Sequence, residues 1–99
     1  MNHRNSDKYY DQQVTAIRQF YINFASPEDI YLQLATHLQK FIEKQDFDIE
    51  RPLPSVYYIH RTLNVSRASA YRAYAELNRN NLVYWMKGKG FYAKLNSPE

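Results

Sequence analysis

The sequence contains no cysteine and only two glycines among its 99 residues. The absence of cysteine excludes disulfide bonds, thiol nucleophiles and thiolate metal sites, and it is consistent with a reducing cytoplasm. No apolar run approaches the roughly 20 residues that cross a bilayer, and residues 1–7 are polar. We therefore expect no membrane helix and no signal peptide, and a soluble protein of the cytoplasm.

Patterns that indicate catalysis or metal binding are also missing. The three histidines, His3, His37 and His60, lie in a tail and on two different predicted helices. They lack the His-x-x-x-His or Glu-x-x-His spacing that places two ligands on one helix face. No paired carboxylates and no nucleophile motif are recognisable. We expect no enzyme activity, no cofactor and no metal.

The charge of this chain is unevenly divided. Hydrophobic residues make up 44% and charged residues 23%, a composition that is typical of one globular domain at this length. Residues 1–50 hold five Lys or Arg against eight Asp or Glu, a net charge of −3, whereas residues 51–96 hold eight against one, a net charge of +7. The positive charges of the second half repel one another, and a bound polyanion relieves that repulsion. The second half therefore favours a nucleic acid or another anionic partner, although ordinary soluble domains also carry basic halves.

Apolar spacing predicts two helices in the first half. An amphipathic stripe with alternating steps of three and four residues predicts an N-terminal helix within residues 7–25. A second helix is predicted to begin with Ser26 as N-cap and Pro27 in the first turn, and to run to about Lys44. The stripe of the first helix consists of Tyr10, Val14, Ile17, Tyr21 and Phe24.

Two capping signals predict a helix-turn-helix in the second half. Ser55 begins a third helix that ends at Leu63, and Asn64 is suited to the left-handed residue that follows it. Ser66 begins a fourth helix that runs to about Asn80.

A basic hairpin is predicted to follow these helices. Strands at 82–86 and 91–95 are joined by Lys-Gly-Lys-Gly at 87–90, and their aromatic residues alternate. We expect Phe91 and Tyr84 to form one pair and Tyr92 and Trp85 the other, with one pair on the helices and the other partly exposed. The predicted fold is a mainly α member of the α+β class: a winged helix-turn-helix over 26–95, with an extra N-terminal helix within 1–25 and a tail at 96–99.

Five segments, in order and in register, carry a family resemblance. They are Ile-Tyr-Leu-Gln-Leu at 30–34, Leu-Pro-Ser at 53–55, Val-Ser-Arg at 65–67, Arg-Ala-Tyr-Ala-Glu-Leu at 72–77 and Lys-Gly-Lys-Gly-Phe at 87–91. Together they resemble the DNA-binding domain of GntR-type transcriptional regulators, and the Ala-Tyr pair and the hairpin tip are most similar to the YtrA and MocR branches. The resemblance implies a bacterial, nucleoid-bound regulator that recognises double-stranded DNA, and we expect a repressor that occupies an operator.

The chemistry of this predicted interface centres on the start of the fourth helix. Arg67 stands where the family contacts base edges, and Ser66 and Ser69 are candidate phosphate donors at a helix N-terminus. Ala68 suits a thymine methyl group, and the lysines of the hairpin tip suit a phosphate or the minor groove. The residues expected to contact DNA are Ser55, Tyr57, Ser66, Arg67, Ala68, Ser69, Tyr71, Arg72, Lys87, Gly88 and Lys89.

The sequence also departs from the family. Tyr57 occupies the position of an arginine that contacts DNA in the family, which favours an altered operator. Asn64 and Asn81 replace customary glycines, and asparagine tolerates the left-handed region better than most residues. Because no segment follows the hairpin apart from a short tail, we expect no small-molecule effector domain.

The N-terminal helix is open to two interpretations. As regulators of this type generally bind two half-sites, we expect its aromatic stripe to form a homodimer interface through Tyr10, Val14, Ile17, Tyr21 and Phe24. The alternative is that the helix covers the domain's own core against Leu34 and Leu38.

Three other functions remain compatible with the sequence. One is a winged-helix protein-interaction module that docks through its aromatic helix, and another is DNA binding in plasmid or phage replication or maintenance. A third is stacking of single-stranded bases on the ten tyrosines, although these are not grouped on a visible platform. Salt dependence separates DNA binding from protein docking, because phosphate contacts release counterions.

Overall fold

The computed structural model describes residues 16–44 and 49–94. These residues form a mainly helical α+β winged helix, as predicted, and the first of them, residues 16–18, are helical. The elements that follow are α1 (Ile30–Lys44), α2 (Val56–Leu63), α3 (Arg67–Arg79), β1 (Val83–Met86) and β2 (Gly90–Ala93).

The core lies where α1 and α2 pack on α3. Leu34, Leu38 and Ile42 line one side of α1, with the four-residue spacing that forms an apolar stripe on a helix. On α3, Ala70 and Ala73 are fully buried, and their small side chains let the neighbouring helices approach closely. The largest fully buried side chains are Tyr74, Ile17, Leu34, Leu38, Ile59, Leu77 and Val83.

Local capping chemistry fixes the helix-turn-helix, as the sequence predicts. The Ser55 hydroxyl accepts a hydrogen bond from the Tyr58 amide at 3.0 Å. The Ser66 hydroxyl accepts one from the Ser69 amide at 2.9 Å. Between the two helices, Asn64 adopts the left-handed conformation with φ of 58°. The turn between α2 and α3 is therefore set by side chains within a few residues of it.

The segment before α1 differs from the prediction. Helix ends at Arg18 rather than near Ala25, and α1 begins at Ile30 rather than directly after Ser26. The hydroxyl of Ser26 accepts the Glu28 amide at 3.1 Å, so it closes a turn and caps no helix. Residues 19–29 thus form an irregular segment, and the predictions that the first helix reaches Ala25 and that Ser26 caps the next are wrong.

The side chain of Gln33 explains this irregular segment. It is 9% exposed, and its amide group makes three hydrogen bonds to backbone atoms of residues 23 and 28. Its Oε1 accepts from the Asn23 amide at 2.8 Å, while its Nε2 donates to the carbonyls of Asn23 at 3.1 Å and Glu28 at 3.0 Å. These bonds satisfy backbone groups that a helix would have paired internally.

The hairpin is present, but its aromatic pairing differs from the prediction. The register places Trp85 opposite Phe91 and Tyr84 opposite Tyr92, and cross-strand partners share a face. A three-residue turn at 87–89, with Gly88 at φ of 78°, sets this register. β1 begins at Val83 and β2 runs from Gly90 to Ala93, while Leu95 and the tail lie outside the described residues.

The hairpin of β1 and β2, residues 83–93, is the wing of this fold, and it is anchored to the helices through Phe91 and Tyr74. The two rings stack with centroids 4.5 Å apart, and the Leu53 amide donates to the Phe91 carbonyl at 2.8 Å. The Tyr74 hydroxyl donates to the carbonyl of Pro54, and complete burial raises the pKa of Tyr74. The wing, the start of α2 and α3 are therefore held in a fixed arrangement.

Candidate nucleic-acid interface

The first turn of α3 presents an exposed polar surface. Arg67 and Ala68 are both exposed, directly after the N-cap. The hydroxyl of Ser66 accepts the Ser69 amide and also donates to the Ser69 hydroxyl at 3.0 Å. The amides of this first turn and the positive end of the helix dipole favour an anion at this position.

Tyr57 contacts two arginines beside this turn. Its ring centroid lies 5.4 Å from the Arg67 guanidinium carbon and 5.7 Å from that of Arg61. Arg61 Nη1 also donates a hydrogen bond to the Tyr57 hydroxyl at 3.0 Å. This hydrogen bond, and then the positive charges of Arg61 and Arg67, lower the pKa of Tyr57, and the same bond raises the pKa of Arg61.

A groove of about 620 Å³ separates the start of α2, α3 and the wing. We call it the wing groove. Tyr71 and Trp85 are 59% and 58% exposed, so large aromatic surfaces face solvent there. Its walls include Pro52, Ser55, Tyr57, Tyr71, Trp85 and Lys89. The structure therefore brings Ser55, Tyr57, Tyr71, Gly88 and Lys89, five of the sequence-predicted residues, to one groove.

Arg72 and Lys87 lie outside the wing groove, as do the predicted residues in the first turn of α3. The Arg72 guanidinium carbon lies 4.0 Å from the ring centroid of Tyr31, so this arginine packs on α1. Lys87 is exposed in the hairpin turn. The acid nearest to these bases in sequence, Glu76, binds Arg79 at 2.6 Å, and that interaction lowers the pKa of Glu76.

A second cleft, which the sequence did not predict, also has Tyr57 in its wall. It has a volume of about 610 Å³ and is lined by Arg18, Ser55, Tyr57, Tyr58, Arg61 and Thr62. We call it the arginine cleft. Arg61 follows Tyr57 by four residues on α2, a spacing at which helical side chains meet. Arg18 reaches the cleft only through the tertiary fold, and no sequence spacing indicates it.

The described residues of the predicted dimer interface differ in their exposure to solvent. Ile17 is 1% exposed and belongs to the hydrophobic core of the domain. Tyr21 and Phe24 are 72% and 60% exposed on the irregular segment. Tyr10 and Val14 lie outside the described residues.

The two described histidines bond to backbone carbonyls. His37 Nε2 lies 2.8 Å from the Tyr21 oxygen, and His60 Nδ1 lies 2.6 Å from the Val65 oxygen. Among residues 16–44 and 49–94, no group of three or more His, Cys, Asp or Glu side chains is arranged to hold a metal ion. Within the same residues, no helix combines the length and the apolarity that crossing a bilayer requires. His3 lies outside the described residues.

Comparison with solved structures identifies the domain type. A GntR family transcriptional regulator from Listeria monocytogenes superposes with a TM-score of 0.66 and 27% identity, over 74% of this chain and 64% of that one. The chain has a GntR-like winged-helix domain. A transcriptional antiterminator from Listeria monocytogenes EGD-e shares the fold of this GntR-like domain, with a TM-score of 0.72 and 23% identity, over 82% of this chain and 60% of that one.

The GntR-like domain is shorter than both of these proteins. It spans less than two thirds of the length of each. No protein-family model and no curated protein matches the sequence.

Proposed function

We propose that this chain binds double-stranded DNA in a sequence-specific manner and represses transcription by occupying an operator. The observation that carries the proposal is the exposed Arg67 at the start of α3. Its guanidinium carbon lies 5.4 Å from the ring centroid of Tyr57, and Tyr57 lines the wing groove together with Lys89. The resemblance to a GntR family transcriptional regulator supports it.

In the proposed complex, α3 is the recognition helix and enters the major groove. Arg67 donates to the base edge of a guanine, and Ala68 meets a neighbouring thymine methyl group. The hydroxyls of Ser66 and Ser69 and the amides of their turn bind a backbone phosphate. Lys87 and Lys89 of the wing contact an adjacent phosphate or the minor groove, where Gly88 permits a close approach.

Two finer assignments complete the proposal. The protein acts as a homodimer on two half-sites, and the exposed Tyr21 and Phe24 supply the apolar surface for a second copy. It belongs to the YtrA- and MocR-like branch, for which the Ala73-Tyr74 pair and the hairpin tip are the supporting residues. Such a regulator works in the bacterial cytoplasm, at the nucleoid.

Fluorescence anisotropy tests the recognition helix directly. The wild-type chain is titrated with a duplex selected from a randomised pool and with a scrambled duplex, at several salt concentrations. We expect Arg67→Ala to reduce the preference for the selected duplex by about 5- to 150-fold, because a bidentate contact to guanine is lost. Arg79→Ala, at the opposite end of the same helix, is the matched control and should retain the preference.

Two outcomes would contradict the proposal. Equal and steeply salt-dependent binding of both duplexes by the wild type would indicate non-specific DNA binding. No binding of either duplex at low salt would favour the protein-interaction module, for which the aromatic wing groove with Tyr71 and Trp85 is the supporting surface.

A further inference from the structure

The arginine cleft has the chemistry of an anion site. Two guanidinium groups, from Arg18 and Arg61, line it together with hydroxyl-bearing residues, and no acidic residue is among the described residues at its wall. Arg18 and Arg61 are both exposed, so an incoming ligand reaches them without rearrangement of the core. Two arginines at one cleft favour a phosphate, whose oxygens accept several N–H donors at once.

One of the two arginines is already oriented. Arg61 is held by its hydrogen bond to the Tyr57 hydroxyl, and Tyr57 lies on α2, which is fixed by the Ser55 cap. A guanidinium group with a defined orientation loses less side-chain entropy when it binds an anion than one that moves freely. The cleft is therefore partly prearranged for its ligand.

The cleft is continuous with the proposed DNA-binding face. Tyr57 lines both the arginine cleft and the wing groove, and its ring also contacts Arg67 of the recognition helix. An anion in the cleft would thus lie close to Tyr57 and therefore beside the duplex that α3 contacts. A backbone phosphate next to the half-site has the negative charge that the two arginines favour, and it lies where the cleft would meet the duplex.

We propose that the arginine cleft is a second phosphate site, which binds a backbone phosphate of duplex DNA flanking the segment contacted by α3. The assignment rests on the proposed DNA-binding function and extends it from α3 and the wing to α2 and to Arg18. The contact carries no base information, because it is made to the backbone alone. It contributes affinity and fixes the orientation of the domain on the duplex.

The test measures affinity and its salt dependence for Arg18→Ala, Arg61→Ala and the double variant. On a selected duplex with long flanks, we expect each single variant to weaken binding about tenfold at low salt. The slope of log K against log salt should fall by about 0.9 in the double variant, because one phosphate contact is lost. The preference over a scrambled duplex should stay unchanged.

Two controls separate this site from a general loss of charge. Lys40→Ala removes an exposed positive charge from α1 that lines neither cleft, and it should leave the salt slope close to that of the wild type. A duplex shortened to the segment contacted by α3 lacks the flanking phosphate, so wild type and Arg61→Ala should bind it equally. Thermal unfolding of each variant, followed by circular dichroism, shows that the domain remains folded.

Several outcomes overturn the assignment. If the wild type binds the selected duplex specifically and the double variant keeps its affinity and salt slope, the cleft is not a DNA site, while the proposed function stands. If inorganic phosphate binds the wild type and not the double variant, yet both bind DNA equally, the cleft serves free phosphate. If the wild type binds no duplex but binds polyglutamate through these arginines, both the proposed function and this site are wrong.

Discussion

Tyr57 links two positive side chains that would otherwise repel each other. Its ring lies near both guanidinium groups, 5.7 Å from Arg61 and 5.4 Å from Arg67, and its hydroxyl accepts a hydrogen bond from Arg61. The ring therefore positions Arg67, whereas the hydroxyl positions Arg61. Substitutions that remove these two parts of the side chain separately distinguish the two functions.

We expect Tyr57→Phe and Tyr57→Ala to have different effects on DNA binding. Tyr57→Phe keeps the ring beside Arg67, so the preference for the selected duplex should be retained, while the salt slope moves toward that of Arg61→Ala. Tyr57→Ala also removes the cation–π contact, which should lower that preference by about two- to fivefold. Anisotropy titration on selected and scrambled duplexes measures both effects, and equal preferences for the two variants would contradict a positioning function of the ring.

At the scale of elements, the irregular segment at 19–29 depends on one side chain of α1. Gln33 supplies the partners for the backbone at Asn23 and Glu28, so its removal leaves these groups without their hydrogen bonds. We expect Gln33→Leu to lower the free energy of unfolding by about 1–3 kcal/mol, since buried polar groups lose their partners. Urea denaturation measures the change, and faster hydrogen exchange at the Asn23 amide locates it.

Gln39→Leu is the matched control for this prediction. Gln39 lies on the same helix, and its side chain bonds only locally to Glu43 at 2.9 Å. Such a pair contributes about 0.2–0.5 kcal/mol to a helix. An unfolding midpoint for Gln33→Leu that equals that of Gln39→Leu would contradict the assigned function of Gln33.

The elements that the sequence predicted well are those with short-range causes. Ser55, Asn64 and Ser66 fix their helix ends through groups within three residues, so their pattern is visible in the sequence. The segment at 19–29 has an apolar spacing of helical period, but Gln33, ten residues from Asn23, overrides it. The aromatic pairing of the wing depends on the length of its turn, which alternation alone does not specify.

In the candidate site, too, the sequence predicted the residues with local patterns and missed the contacts made by tertiary packing. Arg67, Tyr71 and Lys89 were predicted from the family resemblance and from their place on helix and hairpin, and the structure exposes all three. Arg72 is exposed as well, but its guanidinium group packs over Tyr31, a contact between two helices far apart in sequence. Arg18 joins the arginine cleft through tertiary packing. Spacing along one chain segment contains no information about either contact.

At the scale of the whole molecule, two exposed aromatic side chains support the proposed homodimer. Tyr21 and Phe24 lie on the segment that Gln33 and His37 hold against α1, so they are presented in a fixed position. A winged helix contacts few base pairs, and two copies on a symmetric operator gain affinity from both half-sites. These facts favour a second copy of the chain as the occupant.

We expect the double variant Tyr21→Ser, Phe24→Ser to be monomeric at concentrations where the wild type is a dimer, because the proposed apolar contact is removed. Size-exclusion chromatography with light scattering measures the mass of each. Both proteins should bind a single half-site equally, whereas only the wild type should gain affinity on a palindromic duplex. Tyr84→Ser, which removes an exposed aromatic from the wing, controls for general loss of apolar surface. A wild-type chain that remains monomeric at micromolar concentration, with no gain on the palindrome, would show that these aromatics serve another partner.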